Sequence, residues 1–307
     1  MRLGVGFLIL AGVCWGTAGT LGTLLVRATG LPFAAVAGYR IAIGGALMLA
    51  IILVRRSAVW PATAAAWRRV ALIGGCLLGF QVCFFAAVSQ VGVSVATLVA
   101  IGSTPVIVTI ADIATGKHRW NAQVLTSLGL ALMGVGLLAG VPEQGLDARR
   151  LALGCLLALG AGITFAIITL AGSRPVPGFD NATGMGVGML GGGLVALGLA
   201  TTSGPIGFAL SPASVALVLA LGLLPSAVAY LAFVRGLRTE SATTASLISL
   251  LEPVTGVVVA AIVLGERLGA AGIAGACALL TAVALAAVPG QQLSALRRRL
   301  SVANSVG

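Results

Sequence analysis

Charge is scarce in this 307-residue chain. Asp, Glu, Lys and Arg together make up 8% of it, against about 25% in a soluble domain. A soluble globule of this length would have to cover its surface with side chains that the sequence does not have. Histidine occurs once, at His118, so no Ser–His or metal–His constellation is expected inside an apolar span. The five cysteines (Cys14, Cys76, Cys83, Cys155 and Cys277) all fall in apolar runs, and none forms a CxxC pair. They read as small buried hydrophobes, with neither a disulfide framework nor a zinc site. No Walker A motif and no glycine-rich phosphate loop in a strand–helix setting is present. The reading is therefore not an enzyme, with no cofactor, no metal and no motor driven by its own ATP hydrolysis.

What is present is hydrophobicity. The apolar set makes up 59% of the chain, with 44 glycines and a mean hydropathy of +1.13. Lipid removes the need for a charged surface, and glycine suits helices packed closely in a bilayer. Spans of about 20 apolar residues fall at roughly 3–26, 33–54, 69–91, 94–114, 122–141, 150–171, 182–201, 213–234, 241–264 and 268–288. The first is too long for a signal-peptide core. Leu10 to Cys14 resembles a lipoprotein box, but Val13 intrudes before the cysteine. The expected fold class is an all-α polytopic membrane protein of ten transmembrane helices.

The net charge of +11 lies in short loops without a basic helix face, so it reads as a topology signal and no nucleic acid is expected. With the N-terminus inside, thirteen basic residues fall inside: Arg2, Arg55, Arg56, Arg68, Arg69, Lys117, Arg119, Arg174, Arg235, Arg238 and Arg297 to Arg299. Four fall outside: Arg27, Arg149, Arg150 and Arg267. This bias puts both termini in the cytoplasm of a bacterial-type inner membrane. Sliding the second half onto the first by 148 positions sets Gly222 on Gly74, Phe233 on Phe85 and Pro253-Val254 on Pro105-Val106. A shift of about 150 sets Gly162 on Gly12. Two repeats of five spans each must run in opposite directions, the inverted repeat of many secondary transporters.

Glu252 is the outstanding charge, 11 residues from Ser241 and 12 from Leu264. An acid near mid-membrane costs roughly 2.5 kcal/mol or more. It reads either as a substrate or proton site or as a neutral, hydrogen-bonded structural acid. Pro253 follows it and removes the helical partner of the Ser249 carbonyl; Pro105 does the same to Ile101. Paired prolines point to helix breaks at a midplane site, or to simple bending. Pro225 frees the Leu221 carbonyl without a matching proline. Arg40 lies roughly 10 Å into its span and either snorkels outward or faces the interior. Asp112 is explained by Lys117 or by solvent. Polar and aromatic candidates for a pathway are Trp15, Thr17, Tyr39, Gln81, Phe85, Thr104, Phe165, Tyr230 and Ser249.

At these residues the chain resembles the EamA branch of the drug/metabolite transporters. The signs are Trp15-Gly16-Thr17, Tyr39-Arg40, and Ser94 to Thr97 leading to Thr104-Pro105. In the second half they are Ala242 to Ser246 leading to Leu251-Glu252-Pro253-Val254, then Leu264-Gly265-Glu266-Arg267-Leu268. The first repeat departs, with Thr104 in place of an acid and Gly116-Lys117-His118-Arg119 in place of Gly-Glu-Arg. The resemblance implies two inverted five-helix repeats (3–141 and 150–288) followed by a basic cytoplasmic tail (289–307). It implies a central cavity, alternating access and export of amino acids, related metabolites or drugs, with proton coupling in several members. The expected partners are a small-molecule substrate and the bilayer, and a homodimer is left open. The competing readings are a structural or regulatory membrane protein that moves nothing, and a membrane enzyme acting on lipid-linked substrates.

Overall fold

The structure is a computed structural model that describes residues 3–116, 121–139, 147–174, 176–265 and 269–287. The helices are α1 (Leu3–Thr29), α2 (Phe33–Val54), α3 (Ala64–Gly92), α4 (Val95–Ala114), α5 (Ala122–Ala139), α6 (Ala148–Gly172), α7 (Asn181–Ala200), α8 (Pro212–Gly236), α9 (Ala242–Leu264) and α10 (Ala270–Ala287). Among the described residues nine are long and apolar enough to cross a membrane, and α5 is a shorter apolar helix. The outward faces carry exposed Leu156, Leu194, Ile262 and Ile273, an arrangement that only lipid tolerates over so many helices. The chain is a multi-pass membrane protein, with ten helices among the described residues, as its hydropathy implies.

Local chemistry sets the helix ends. Gly30 at φ 71° ends α1, and Gly92 at φ 76° separates α3 from α4, a region open to glycine at little cost. The sequence places the start of the third span at residue 69. It starts at Ala64 instead, because the Thr63 hydroxyl caps the Ala66 N–H at 3.1 Å ahead of an alanine run with high helix propensity. Arg68 and Arg69 therefore lie on a helix rather than in a loop.

Glycine contacts reveal the symmetry of the bundle. α2 packs antiparallel on α7. A Cβ added to Gly38 would lie 2.9 Å from Leu197, and one added to Gly186 would lie 2.9 Å from Leu49. Gly45 meets Leu190, and Gly193 meets Ala42. Each contact recurs with both partners moved 148 positions along the chain. Likewise Gly12 abuts Ile248 and Leu251 of α9, while Gly162 of α6 abuts Ala100 and Ser103 of α4. A contact set that maps onto itself under exchange of halves is isologous packing about a two-fold axis. The halves are two inverted five-helix repeats, and close helix approach through glycine is what joins them.

One end of the bundle is tied by polar contacts. Arg238 pairs with Asp180 at 2.7 Å, and Arg69 donates to the Ala171 carbonyl. Asp112 is 2% exposed. It accepts from the Thr243 N–H at 3.2 Å and the Thr243 hydroxyl at 2.9 Å. The expectation that solvent or Lys117 explains Asp112 is corrected: it is buried, and it caps the start of α9 across the repeat boundary. Lys117, His118, Arg119, Glu266, Arg267 and the tail 289–307 lie outside the described residues.

Candidate functional site

α9 is two helices in series. Its first half, Ala242–Ile248, ends at Ser249 and Leu250, and its second half begins at Leu251. Across the break the Leu250 N–H donates to Leu247 (3.2 Å) and the Glu252 N–H to Ser249 (2.9 Å). Proline cannot donate and crowds the residue before it, so the Ser249 carbonyl turns to Glu252 instead. Glu252 is thereby placed in the first turn of the second half-helix, where a negative charge is favoured by the helix dipole. Gly16 of α1 lets this segment approach: a Cβ there would lie 2.7 Å from the Glu252 carbonyl oxygen.

α8 is irregular as well. Residues Leu223–Val228 form a π-helical turn, and the Ser226 hydroxyl donates to the Leu221 carbonyl at 3.3 Å. That is the carbonyl left free by Pro225, so the hydroxyl and the wider turn together absorb the missing N–H. The helix then resumes with Tyr230 and Phe233 facing α1. Trp15, 4% exposed, contacts the rings of Tyr230 (5.3 Å), Phe233 (5.0 Å) and Phe165 of α6 (5.6 Å). Phe165 continues this aromatic wall to Phe80 of α3 at 6.1 Å. Edge-to-face rings at these separations pack favourably.

Arg40 of α2 lies within electrostatic reach of both Glu252 and Tyr230. Glu252 and Arg40 do not form an ion pair within 4 Å of each other. Arg40 Nε and Trp15 Nε1 are buried donors without a hydrogen-bond partner. Glu252, Arg40 and Phe165 are enclosed by other helices, yet each keeps an intermediate share of accessible surface. Glu252 of α9, Arg40 of α2, Phe165 of α6, Trp15 of α1 and Tyr230 of α8 thus bring an acid, a base, two spare donors and an aromatic wall to one region. Such a set of groups suits a small molecule carrying both acceptor and donor groups.

The other candidates fall elsewhere. The Tyr39 hydroxyl donates to the Ile206 carbonyl at 3.0 Å, and its ring meets Phe208, so it tethers the segment before α8. Thr104 donates to Ala100 (3.0 Å) and Gly162 (3.3 Å), joining α4 to α6. Thr17 and Ser249 bond the carbonyls of Cys14 and Ser246 within their own helices. Gln81 is buried on α3, and Phe85 meets Phe84 at 6.0 Å rather than Trp15. α4 runs through Pro105 as continuous helix, whereas α9 is interrupted ahead of Pro253. Phe233 and Phe80 are the residues that sequence reasoning left out of the site. Phe233 had appeared as the repeat partner of Phe85, which was the one signal available.

Residues 2–140 and 152–288 each match the EamA-like transporter family. The chain belongs to the EamA-like transporter family. An uncharacterized transporter of Bacillus subtilis (strain 168), YwfM, is 32% identical over 303 residues, covering 96% of this chain and 97% of that one. A solved crystal structure shares the fold at a TM-score of 0.78 and 17% identity, over 92% of this chain and 97% of that one. As an EamA-like transporter the chain is a membrane transporter, and both family matches contribute helices to the aromatic and charged centre. Among the described residues no cluster of three or more His, Cys, Asp or Glu side chains is placed to hold a metal ion.

Proposed function

We propose that this EamA-like protein is a secondary exporter of small metabolites, amino acids or related compounds, by alternating access across a bacterial-type inner membrane. The observation that supports the reading is Glu252 at the break in α9, within electrostatic reach of Arg40 and Tyr230, whose ring packs on Trp15. Arg40 suits a carboxylate and Glu252 an amine, so the pair fits a zwitterion. Trp15, Phe165 and Tyr230 supply the apolar wall for its side chain. Glu252 is also the group that would carry a coupled proton, since an acid in a poorly hydrated space is relieved either by a cation or by protonation. The cytoplasmic end is assigned to the side bearing Arg55, Arg56, Arg68, Arg69, Arg174, Arg235 and Arg238. The two repeats are bounded at 3–141 and 150–288.

The test is metabolite profiling of medium from cells over-expressing wild type, Glu252→Gln or neither. A compound enriched by wild type alone supports export and a role for Glu252. Equal enrichment in both protein strains removes Glu252 from the mechanism. No enrichment in either, with both proteins present in the membrane, counts against export.

A further inference from the structure

A second feature lies on the outer surface of the bundle, away from Glu252. α3 and α7 run side by side, with Gly74 against Gly188 and Gly192, and their outer faces leave a groove of about 340 Å³ open to the membrane. Ala71, Gly75 and Leu78 line it on α3, and Gly188, Gly191 and Val195 on α7. Its surface is almost wholly apolar. Arg68 stands three residues before Ala71 and seven before Gly75, on the same helix stripe, at the groove's end.

That end is basic. Arg69 and Arg174 lie within electrostatic reach of one another. Arg68 and Arg174 are exposed, and the nearby Asp180 is already engaged by Arg238. Trp60 and Trp67, both about half exposed, flank the same end, and exposed tryptophans mark the headgroup level. An apolar groove along the acyl region therefore meets unneutralised arginines at headgroup depth. Lipid chains alone would satisfy the groove, but only a negative headgroup satisfies the arginines.

We infer that this groove seats an acyl chain of an anionic phospholipid whose phosphate rests on Arg68 and Arg174. The occupancy is independent of the transported substrate. It ties α3 of the first repeat to α7 of the second on one leaflet only.

Full-length protein purified in neutral detergent, titrated with phosphatidylglycerol or phosphatidylcholine and read by native mass spectrometry, tests this. Wild type should retain phosphatidylglycerol in preference to phosphatidylcholine. Arg68→Gln with Arg174→Gln should weaken that binding roughly fivefold per charge removed. Gly75→Leu should abolish it: a Cβ there meets nothing within 4 Å, so the fold is kept while the groove is filled. An unchanged unfolding temperature without lipid verifies that both variants are folded. Equal retention of the two lipids, wild-type affinity in the arginine variant, or wild-type affinity in Gly75→Leu would each overturn the inference.

Discussion

At the scale of single residues, glycine and the buried acids carry most of the specificity. Gly16 is where α1 meets the break in α9, and a Cβ there collides with the backbone of Glu252. Gly16→Val should lower stability by about 1–3 kcal/mol, the usual cost of overpacking. Gly19→Ala, whose Cβ meets nothing within 4 Å, should be neutral. Thermal unfolding of the two purified variants separates them, and equal unfolding temperatures would contradict the packing account. Asp112 acts differently. Replacing it by Ala strands the Thr243 N–H and hydroxyl in a buried setting, which should cost about 1–3 kcal/mol. Asp112→Asn keeps an acceptor and should cost less. The role of Asp112 was not legible in the chain, because its partner lies 131 positions away and no local pattern announces it. Glu252 was legible, because an isolated acid in an apolar run is conspicuous wherever the helices go.

At the scale of elements, proline is read through its neighbours. Pro105 and Pro253 occupy equivalent places in the repeats, yet α9 breaks and α4 does not. In α4 the Thr104 hydroxyl donates to the Ala100 carbonyl and to Gly162 of α6, which holds the helix beside the proline. In α9 the Ser249 hydroxyl turns back to Ser246, and the backbone carries the break. Pro253→Ala restores an N–H one turn from Ser249. It should favour a continuous helix, raise the unfolding temperature and reduce transport. A folded Pro253→Ala protein that transports at the wild-type rate would show that the break has no part in the cycle. The π-turn of α8 was half legible: Pro225 signalled a free carbonyl at Leu221, while the Ser226 hydroxyl that takes it up appeared only in three dimensions.

At the scale of the whole molecule, the two halves interlock rather than sit side by side. α1 packs on α8 and α9, and α6 packs on α3 and α4, the same arrangement with the repeats exchanged. Among the described residues, the start of α1 and the end of α10 lie toward the same end of the bundle as the α8–α9 turn and the start of α5. Gly4 lies against Thr239 and Glu240, and Gln123 donates to the Leu285 carbonyl near the end of α10. A fluorescent protein fused to the C-terminus should glow and one fused at the α1–α2 turn should stay dark, as the basic bias of the loops requires. The reverse pattern in well-expressed fusions would turn the transporter over and exchange the two ends of the pathway.

The ten described helices, their bounds to within a few residues, the two repeats and the isolated acid at Glu252 follow from the chain alone. Each depends on hydropathy, on charge in apolar surroundings or on proline's missing N–H, all of which are local properties. Tertiary structure alone decided that Tyr39 faces the Ile206 segment and Phe233 the centre. It also decided that Asp112 caps α9, and that one of two equivalent prolines breaks its helix. In a chain apolar on nearly every face, periodicity does not reveal which side of a helix looks inward. Facing is set by which glycines allow which helices to touch, and that is a relation between segments far apart in sequence.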